Sequence, residues 1–403
     1  MHHKRKMSSR ILTAALIAAM ALSVPVAASA AGAAQVNKQV SSGIKVVLND
    51  VEFQPKSTPF IENGVLYMPL RDTGELLGTV VFWNSTTKVI TMTYPDQFVK
   101  LNYGSTQALV NGKPVELKAK LRLVDGRMYV PLRFFSEAIG AGVDWSPSTS
   151  TVTITKANDF VKYETGNSTY WLNHKTGDLY YAHPYEQPPV PIGKIELDHP
   201  LQGNVSIDTM SVNSGARIVT VVDNYGEPHV NYDEYSVLLV NKKIVTQKKA
   251  SYFQRYESNA RYYQSLDSKA GKWIEHLLMT DGKILSVYND QGQLVQEYDM
   301  PKLAGQDDVY TIEGIEDDYL LVRPNKTGLL TLIDLNDHSV VVLCDKLLTG
   351  QELDYAHNND VPYRGDDLQY HSESADGDLI YFTHYSPFDG KHHLLTYHRK
   401  SVN

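Results

Sequence analysis

The sequence predicts a tandem-repeat α+β module over residues 44–155, followed by an all-β domain over residues 157–403. Two observations lead to this division. A pattern of turn, proline, arginine, glycine and tryptophan occurs twice at an offset of 62 residues, and such self-similarity indicates two copies of one folding unit. Past Lys156, helical periodicity gives way to short alternating segments separated by turn dipeptides, which is typical of antiparallel sheets.

The repeated pattern predicts a turn, a strand that ends at proline, and a short helix, which we place at 70–77 and 132–139. The glycine after each helix is expected to cap it, because that position favours a positive φ. Since all of these residues recur together with the turns, we interpret them as scaffold. They are Tyr67, Pro69, Arg71, Glu75, Gly78 and Trp83 in the first copy, and Tyr129, Pro131, Arg133, Glu137, Gly140 and Trp145 in the second.

Each copy also begins with a predicted hairpin, which turns at 49–50 in the first copy and at 111–112 in the second, and ends with two more strands. The arginine and glutamate of each helix are four residues apart, so an ion pair is possible in each copy. A recurring charged site is the alternative interpretation. The repeated tryptophans are interpreted as inward-facing strand aromatics, with a ligand platform as the alternative.

This pattern, N/D-G-x-x-Y-x-P-L-R followed by E-x-x-G and a tryptophan, resembles the copper amine oxidase N-terminal-like domain. That family is also described as a stalk domain, common on secreted and surface proteins of Gram-positive bacteria. The resemblance covers residues 44–155 and implies a compact α+β module that holds another domain away from the surface. The domain name does not itself imply amine oxidase chemistry.

One short segment, Asn231-Tyr232-Asp233, does match the motif in which copper amine oxidases convert a tyrosine to their quinone cofactor. The resemblance also implies a copper site with a His-x-His pair, whose two rings lie on one face of a strand. Residues 157–403 contain no such pair, and Pro228 stands where the wider motif has a threonine. We therefore interpret the segment as a loop coincidence and predict no amine oxidase activity, no metal and no cofactor.

The N-terminus has the pattern of a secretory signal peptide. Basic residues at 4, 5, 6 and 10 precede an apolar run over 11–24, and Ala28-Ser29-Ala30 resembles a cleavage site. We assign 1–30 to the signal and 31–43 to a linker, and we expect no later transmembrane segment, because no comparable apolar run follows. The protein is therefore expected to be extracellular and associated with the cell wall; an uncleaved signal, acting as a membrane tether, is the alternative.

Net charge limits the classes of partner expected for this chain, and its cysteine content limits the chemistry. The chain has 38 basic and 46 acidic side chains, and removal of the signal leaves 34 against 46, a net charge of −12. An acidic chain is poorly suited to nucleic acid or anionic membranes, so no nucleic-acid partner is predicted. The single cysteine, Cys344, follows an apolar run and is predicted to be a buried strand thiol rather than a nucleophile.

The C-terminal region contains hairpin-like units that begin near residues 170, 218, 277, 319 and 379. Propeller blades recur every ~40–50 residues, so we favour an irregular β-propeller of about five blades, with an antiparallel sandwich as the alternative. The region holds 22 of the 26 tyrosines. Tyrosine density is a property of half-exposed strands before it indicates ligand binding.

The segment 251–273 interrupts the β pattern and is rich in aromatic residues. Three of its tyrosines are spaced to share one helical face. We treat it as a candidate ligand-contacting loop that stacks on sugar or peptide, with an insertion that covers the end of the propeller as the favoured alternative. The candidate contacts are Tyr252, Tyr256, Tyr262, Tyr263 and Trp273.

Carboxylates cluster in several predicted turns, where solvated turns are the default interpretation. Paired acids are also what glycoside hydrolysis needs, and oxygen-rich loops suit Ca²⁺. A group of histidines near the C-terminus is a weak metal candidate, because neighbours on a strand point to opposite faces. The acidic clusters are 307–308, 316–318, 366–367 and 376–378, and the histidines are 384, 392, 393 and 398.

Together these patterns predict a non-catalytic protein of the cell envelope in which a stalk module presents a β-rich binding or interaction domain. The expected partner is a cell-wall glycan, another polysaccharide or a surface protein. The alternative function is an extracellular polysaccharide hydrolase that uses carboxylates of the C-terminal domain. Carboxylates converging in one tunnel would favour the hydrolase, whereas an aromatic-lined groove would favour glycan or peptide binding.

Overall fold

The structure is a computed structural model that describes residues 43–183, 186–211, 216–259, 261–267, 272–358 and 365–399. The predicted signal peptide and nearly all of the predicted linker lie outside the described residues. Strands dominate what is described, and the five helices are short. None of these helices has the length and apolar character needed to cross a membrane.

The tandem module is made of short strands and two helices, and its core is one large and one small cluster of apolar side chains. Its elements, in chain order, are β1 (Lys45–Leu48), β2 (Val51–Phe53), β3 (Phe60–Glu62), β4 (Val65–Pro69), α1 (Leu70–Leu77), β5 (Val80–Asn84), β6 (Val89–Tyr94), β7 (Gln97–Asn102), β8 (Gln107–Val110), β9 (Lys113–Glu116), β10 (Arg122–Val124), β11 (Arg127–Pro131), α2 (Leu132–Glu137), β12 (Gly142–Ser146) and β13 (Thr151–Thr155).

The two copies face each other across a central sheet with the order β10-β11-β4-β3. Strand β4 of the first copy pairs antiparallel with its counterpart β11, and equivalent residues exchange partners: Tyr67 lies opposite Pro131 and Pro69 opposite Tyr129. This register places a local twofold axis between Met68 and Val130. The repeated tyrosines are buried there, as the scaffold interpretation requires.

The outer sheets show that the copies exchange their hairpins. The β1-β2 hairpin of the first copy joins β12-β13 of the second, with β1 parallel to β13. In the other sheet, β5-β6 of the first copy and β8-β9 of the second are joined through β7. The sequence predicted the hairpins but not this exchange, since periodicity carries no information about which strands pair. The module is therefore one folding unit.

The helices agree closely with the repeat pattern. Helix α1 has the predicted bounds, and α2 ends at Glu137, two residues before the predicted end. Gly78 caps α1 with φ 67°, and Gly140 also has a positive φ, of 80°. Only glycine adopts this region without strain, which explains why glycine recurs at both positions.

The ion pair that the helix spacing allows forms in only one copy. The Arg133 Nη1 atom lies 3.3 Å from Glu137 Oε1. In the first copy Glu75 is instead 2.7 Å from the ammonium group of Lys56, which comes from the loop after β2. The possible Arg71–Glu75 pair therefore does not form, because a lysine distant in sequence competes for the same carboxylate.

The C-terminal region forms five successive sheets, and in each the described strands are neighbours in chain order. We call them the first to fifth meanders. Their strands are β14 (Phe160–Thr165), β15 (Ser168–Asn173), β16 (Asp178–Ala182) and β17 (Val190–Lys194); β18 (Asn204–Ser211), β19 (Ala216–Tyr225), β20 (Asn231–Val240) and β21 (Lys243–Phe253); β22 (Arg261–Asp267), β23 (Lys272–Thr280), β24 (Ile284–Asn289) and β25 (Leu294–Asp299); β26 (Tyr310–Ile315), β27 (Tyr319–Pro324), β28 (Thr331–Asp334) and β29 (Val340–Val342); and β30 (Leu368–Glu373), β31 (Leu379–Tyr385) and β32 (His392–His398). Helices α3 (Met300–Ala304), α4 (Cys344–Leu347) and α5 (Gly350–Asn358) lie in the connections.

All five predicted hairpin units are confirmed, but each begins at the second strand of its meander. The missed first strands include β18, half of whose residues are exposed, and β30, most of whose residues are exposed. Apolar clusters join each meander to the next in the chain. The region is thus a mostly β array whose core lies between successive sheets.

The first meander packs directly on the tandem module. Trp171 of β15 is fully buried in the module's core, and its indole Nε1 donates to the carbonyl oxygen of Gly78 at 3.2 Å. The Lys162 ammonium donates to the carbonyl of Thr79 at 3.2 Å. The division predicted near residue 156 is therefore a packed interface between the two parts of the chain.

Candidate functional site

A cleft of about 470 Å³ opens on the tandem module, between the start of α1 and the turn that connects β10 to β11. Its lining combines cations with apolar surface in a chain whose net charge is −8. The lining residues are Lys56, Ser57, Pro69, Leu70, Arg71, Asp72, Trp83, Gly126, Arg127 and Met128.

The cleft is lined by Arg71, whose side chain does not form the ion pair within the helix that its counterpart forms in the second copy. Because Lys56 pairs with Glu75, the exposed side chain of Arg71 on α1 is directed to the cleft lining instead of to the helix partner that the spacing allows. Its counterpart Arg133 stays paired with Glu137. The same position of the repeat is therefore scaffold in the second copy and a cleft residue in the first.

Two further contacts hold the opposite wall. The guanidinium of Arg127 donates to the hydroxyl of Ser57 at 2.7 Å, and the backbone N–H of Ser57 donates to the carboxylate of Asp72 at 3.2 Å. Asp72 is itself buried in α1. These bonds fix the loop between β2 and β3 against the helix and leave the remaining guanidinium N–H groups of Arg127 available to a ligand.

Trp83 forms the aromatic part of the cleft. It is half-buried, packs on the module's core with one side, and lines the cleft with another. The ring of Tyr103 meets it edge-on at 6.1 Å, and the Lys88 ammonium lies 5.9 Å from its centroid. One side of Trp83 therefore packs inward, as the scaffold interpretation predicts, and another is placed where a ligand platform would be.

The aromatic segment of the C-terminal region is not the helical ligand loop that its spacing suggests. It is the end of β21, a connecting loop and strand β22, which link the second and third meanders. Tyr252 is buried, and its hydroxyl donates to the carbonyl of Tyr310 at 3.2 Å and accepts from the amide of Asn259. Tyr256 stacks on Tyr232 with ring centroids 5.0 Å apart. These rings hold the loop in place, so their assignment as ligand contacts is corrected.

The other candidate aromatic residues differ in their exposure to solvent. Tyr263 stacks on the buried ring of His276 at 4.5 Å, whereas Tyr262 is 54% exposed. Trp273 lies on β23, and its side chain is outside the described residues. Among the described candidates, Tyr262 alone presents most of a ring to solvent, which is insufficient for an aromatic groove.

Tyr232 itself lies near the start of strand β20, not in a loop as predicted. The carboxylate of the following residue, Asp233, is 3.1 Å from the ammonium group of Lys249. Stacking of Tyr232 on Tyr256 and the ion pair of its neighbour Asp233 give this motif a structural use.

Most of the clustered carboxylates are already bound by basic groups or turns. Arg323 and Arg399 join the fourth meander to the fifth through such contacts, and Asp376 accepts from the hydroxyl of Ser374 within its own turn at 2.6 Å. The ion pairs are Asp366–Arg323 at 2.7 Å, Asp318–Arg399 at 2.6 Å and Asp307–Lys283 at 2.7 Å.

Glu316 is a carboxyl group whose pKa is strongly changed by its surroundings. Desolvation at the β26–β27 turn, together with the charges of Glu373 and Asp317, raises its pKa to about 7. Glu373 accepts a hydrogen bond from the Tyr319 hydroxyl at 2.9 Å. A carboxyl with such a pKa suits a general acid, and this turn is the best remaining support for the hydrolase alternative.

A second cleft, of about 340 Å³, lies beside α5 and the fifth meander. His384 and His393 are directly opposite on β31 and β32, and Glu352 lies 3.1 Å from Nε2 of His384. The Ser386 hydroxyl donates to Glu352 and not to the imidazole. This arrangement differs from that of an activated serine, which needs the base on its own hydroxyl.

The comparison with known families confirms the resemblance drawn from the repeat. Residues 47–154, and in a second overlapping match residues 131–191, match the family model of the copper amine oxidase N-terminal domain. The second match extends past the predicted division into the first meander, which agrees with the packed interface there.

Solved structures similar to this chain include β-rich proteins. The WD40 domain of SCAP from fission yeast is 10% identical, with coverage of 81% of this chain and 68% of that one and a TM-score of 0.24. Sqt1 from Saccharomyces cerevisiae is 8% identical over 80% and 72%, with a TM-score of 0.26. A protein of unknown function from Bacteroides caccae is 9% identical over 75% and 86%, with a TM-score of 0.23. Similarity at this level carries no argument about arrangement or function.

Proposed function

We propose that this protein is a non-catalytic component of the cell envelope that binds an acidic polysaccharide in the cleft of its tandem module. The five meanders, arranged as an irregular propeller, form the domain that the module presents. Secretion follows from the signal-like N-terminus. In this arrangement the module is both the stalk and the means of attachment.

The release of Arg71 into the cleft carries the proposal. A guanidinium offers paired N–H donors that match a carboxylate or phosphate, and Trp83 beside it offers the apolar surface on which a sugar ring packs. Lys56 and Arg127 add positive charge on both sides. A neutral glycan would use the tryptophan but not the guanidinium charge of Arg71.

The charge distribution also favours an acidic ligand at the cleft. Residues 44–155 hold 11 basic and 10 acidic side chains, a net charge of +1, whereas residues 157–403 hold 21 and 36, a net charge of −15. A polyanion is therefore repelled by the C-terminal region and is favoured at the cleft. Binding is expected to weaken as salt rises.

The hydrolase alternative rests on Glu316 and Glu373 at the β26–β27 turn. The other described acid clusters are held in ion pairs or turns, and an acid already paired with arginine is a poor proton donor. Cleavage products in the binding assay would support the hydrolase, and substitution of Glu316 by glutamine would then abolish them.

The test is binding of the mature chain to soluble polymers of three kinds: a polyuronate, a poly(glycerol phosphate) and a neutral glucan, with product analysis on the same samples. We expect retention of one or both acidic polymers and no products; the two acidic polymers distinguish a carboxylate ligand from a phosphate ligand. Arg71→Gln removes charge-assisted hydrogen bonds worth about 1.5–3 kcal/mol, which corresponds to at least a tenfold loss of affinity.

Arg133→Gln is the matched control, because it changes the same position of the other copy and removes only an exposed ion pair. It is expected to leave affinity within about twofold, since such pairs contribute ~0.2–1 kcal/mol to stability and do not face the cleft. Equal losses from both variants, or equal binding of all three polymers, would contradict the assignment of the cleft.

A further inference from the structure

The described part of the chain brings the single cysteine together with an aspartate and a histidine at the junction of α4 and α5. The thiol Sγ of Cys344 lies 3.8 Å from Oδ1 of Asp345, and Nε2 of His357 lies 2.7 Å from the same oxygen. All three ligand atoms are within 4.8 Å of one another. Sequence spacing does not indicate this group, because a full helix separates the histidine from the cysteine.

The local fold explains how the three groups meet. Cys344 begins α4, a single turn rather than the predicted strand, and places its side chain in the core between the fourth and fifth meanders. The chain reverses after Leu348, and α5 runs back so that His357 in its last turn reaches the start of α4. The sulfur is therefore fixed by packing, whereas the aspartate and histidine side chains are each almost half-exposed, at 47% and 45%.

We propose that Cys344, Asp345 and His357 form a binding site for a zinc-class divalent metal ion. A thiolate, an imidazole and a carboxylate together favour borderline transition metals over Ca²⁺ or Mg²⁺, which take oxygen ligands. Three protein ligands leave a fourth position for water or an external group. The site is separate from the cleft and independent of the proposed function.

The sulfur–oxygen and nitrogen–oxygen distances approach those of such a centre, and the sulfur and nitrogen lie within 4.8 Å of each other. A tetrahedral zinc with bonds of about 2.3 Å to sulfur and 2.0 Å to nitrogen or oxygen separates its ligands by roughly 3.2–3.6 Å. The sulfur–oxygen separation of 3.8 Å is close to this range. The histidine and aspartate must move apart by about 0.5 Å, which their exposure permits.

Binding exchanges a proton for a metal bond. The S–H bond of Cys344 breaks, its proton leaves to the buffer, and a metal–sulfur bond forms with no change in oxidation state. His357 binds through a neutral imidazole nitrogen. The metal-free thiol holds its proton firmly, because burial and the carboxylates of Asp366 and Asp345 raise its pKa to about 12. The metal enters from the side of Asp345 and His357, since the other side of the sulfur is core.

The competing interpretation is that His357–Asp345 is an ordinary surface ion pair beside a core thiol. A Co²⁺ titration of the reduced, metal-free mature chain separates the two. Because Cys344 is the only cysteine, a thiolate-to-cobalt charge-transfer band in the near ultraviolet has one possible source. We expect this band, together with the visible bands of a tetrahedral site, to saturate at one equivalent and to disappear when Zn²⁺ is added.

Variants assign the ligands. Cys344→Ser is expected to lose the charge-transfer band and, in competition with a chelator, at least tenfold in Zn²⁺ affinity; His357→Gln is expected to lose a similar factor while the thiol is retained. His393→Gln is the matched control, because His393 forms an equally exposed pair with Asp389 at 3.0 Å without a nearby sulfur. That variant is expected to bind as the wild type does.

Each contrary result overturns the site. Absence of the band at saturating Co²⁺ would show that cobalt does not reach the thiol. A band unchanged by His357→Gln would remove the histidine from the ligand set. Equal loss of affinity in His393→Gln would indicate adventitious binding by surface histidines.

Discussion

At the scale of single residues, the environment of a side chain decides its role more than its type does. Glu316 is one of several acids in predicted turns, yet its pKa is raised to about 7 while Asp307, exposed beside Lys283, has its pKa lowered. The difference is that Glu316 is half-buried among other carboxylates, so that its charged form is disfavoured.

This raised pKa predicts a pH dependence of stability. The folded chain keeps the Glu316 proton up to about pH 7, whereas the unfolded chain loses it near the ordinary glutamate pKa of 4.5. Folded protein therefore binds more protons in this window, and stability is full below about pH 4.5 and falls as pH rises towards 7. With allowance for solvent screening, the loss is about 1–2 kcal/mol.

Denaturant unfolding of Glu316→Gln at pH 5 and pH 8 measures this effect. Glutamine carries no charge at either pH, so the variant is expected to exceed the wild type by about 1–2 kcal/mol at pH 8 and to differ little at pH 5. Glu116→Gln, at an exposed carboxylate of β9, serves as the control. A variant that is destabilised equally at both pH values would contradict the account.

Arg71 shows the limit of sequence reasoning at this scale. The repeat correctly indicated the position, but not that Lys56 takes its partner. Lys56 has its own counterpart, Lys118, at the same offset of 62 residues, so neither copy's sequence distinguishes the two outcomes. Contacts between loops and helices are not encoded in periodicity, and the cleft was missed for this reason.

At the scale of elements, equivalent positions of the two helices differ in the space they have. Gly74 in α1 and Ser136 in α2 are both buried and face the core. A Cβ at Gly74 would lie 2.8 Å from Cγ2 of Val81 on β5. The close approach of helix and strand in the first copy therefore requires glycine there.

We expect Gly74→Ala to destabilise the module by about 1–2 kcal/mol, because the overlap with Val81 outweighs the gain of up to ~1 kcal/mol in helix propensity. Ser136→Ala at the equivalent position is expected to be neutral or slightly stabilising, since its buried hydroxyl has no hydrogen-bond partner among the described residues. Thermal and denaturant unfolding of both variants checks these opposite signs.

A double variant tests whether overlap with Val81 causes the loss of stability in Gly74→Ala. Val81→Ala removes the atoms that the new methyl group would meet, so Gly74→Ala is expected to cost less in that background than alone. If the alanine destabilises by the same amount in both backgrounds, crowding against β5 is not the reason.

The elements themselves could largely be predicted. The type I′ turns, the helix over 70–77 and the five hairpin units follow from local residue chemistry, which acts within a few positions. Strand β18 was missed because its apolar alternation is limited to Val205 and Ile207 and half of its residues are exposed. Cys344 was assigned to a strand because an apolar run does not distinguish a strand from the helix turn that follows it.

At the scale of the whole molecule, pairing between distant segments unites parts that the sequence suggests are separate. The hairpin exchange makes the two copies interdependent, since β1 lies against β13 and β4 against β11. The first meander is joined to this unit in the same way. None of these pairings has a local signature, and so the domain division inferred near residue 156 follows composition rather than packing.

Trp171 is the side chain on which this union depends most. It is fully buried, belongs to the module's core although it lies on β15, and donates to the Gly78 carbonyl that follows the α1 helix. Trp171→Phe keeps an aromatic ring but leaves a small cavity and an unpaired carbonyl, with an expected cost of about 2–3 kcal/mol.

The expected result is a change in cooperativity as well as in stability. In calorimetry the transition of the tandem module and first meander should move to lower temperature by several degrees in Trp171→Phe, while that of the later meanders should move less. Tyr170→Phe is the control. Tyr170 is adjacent to Trp171 in the chain, but its side chain faces the core shared with the second meander, and its hydroxyl accepts a hydrogen bond from Arg217. That variant is expected to move the transition of the tandem module and first meander less than Trp171→Phe does, and that of the later meanders more. If both variants shift every transition equally, the chain unfolds as one unit and Trp171 is no more than one core residue among many.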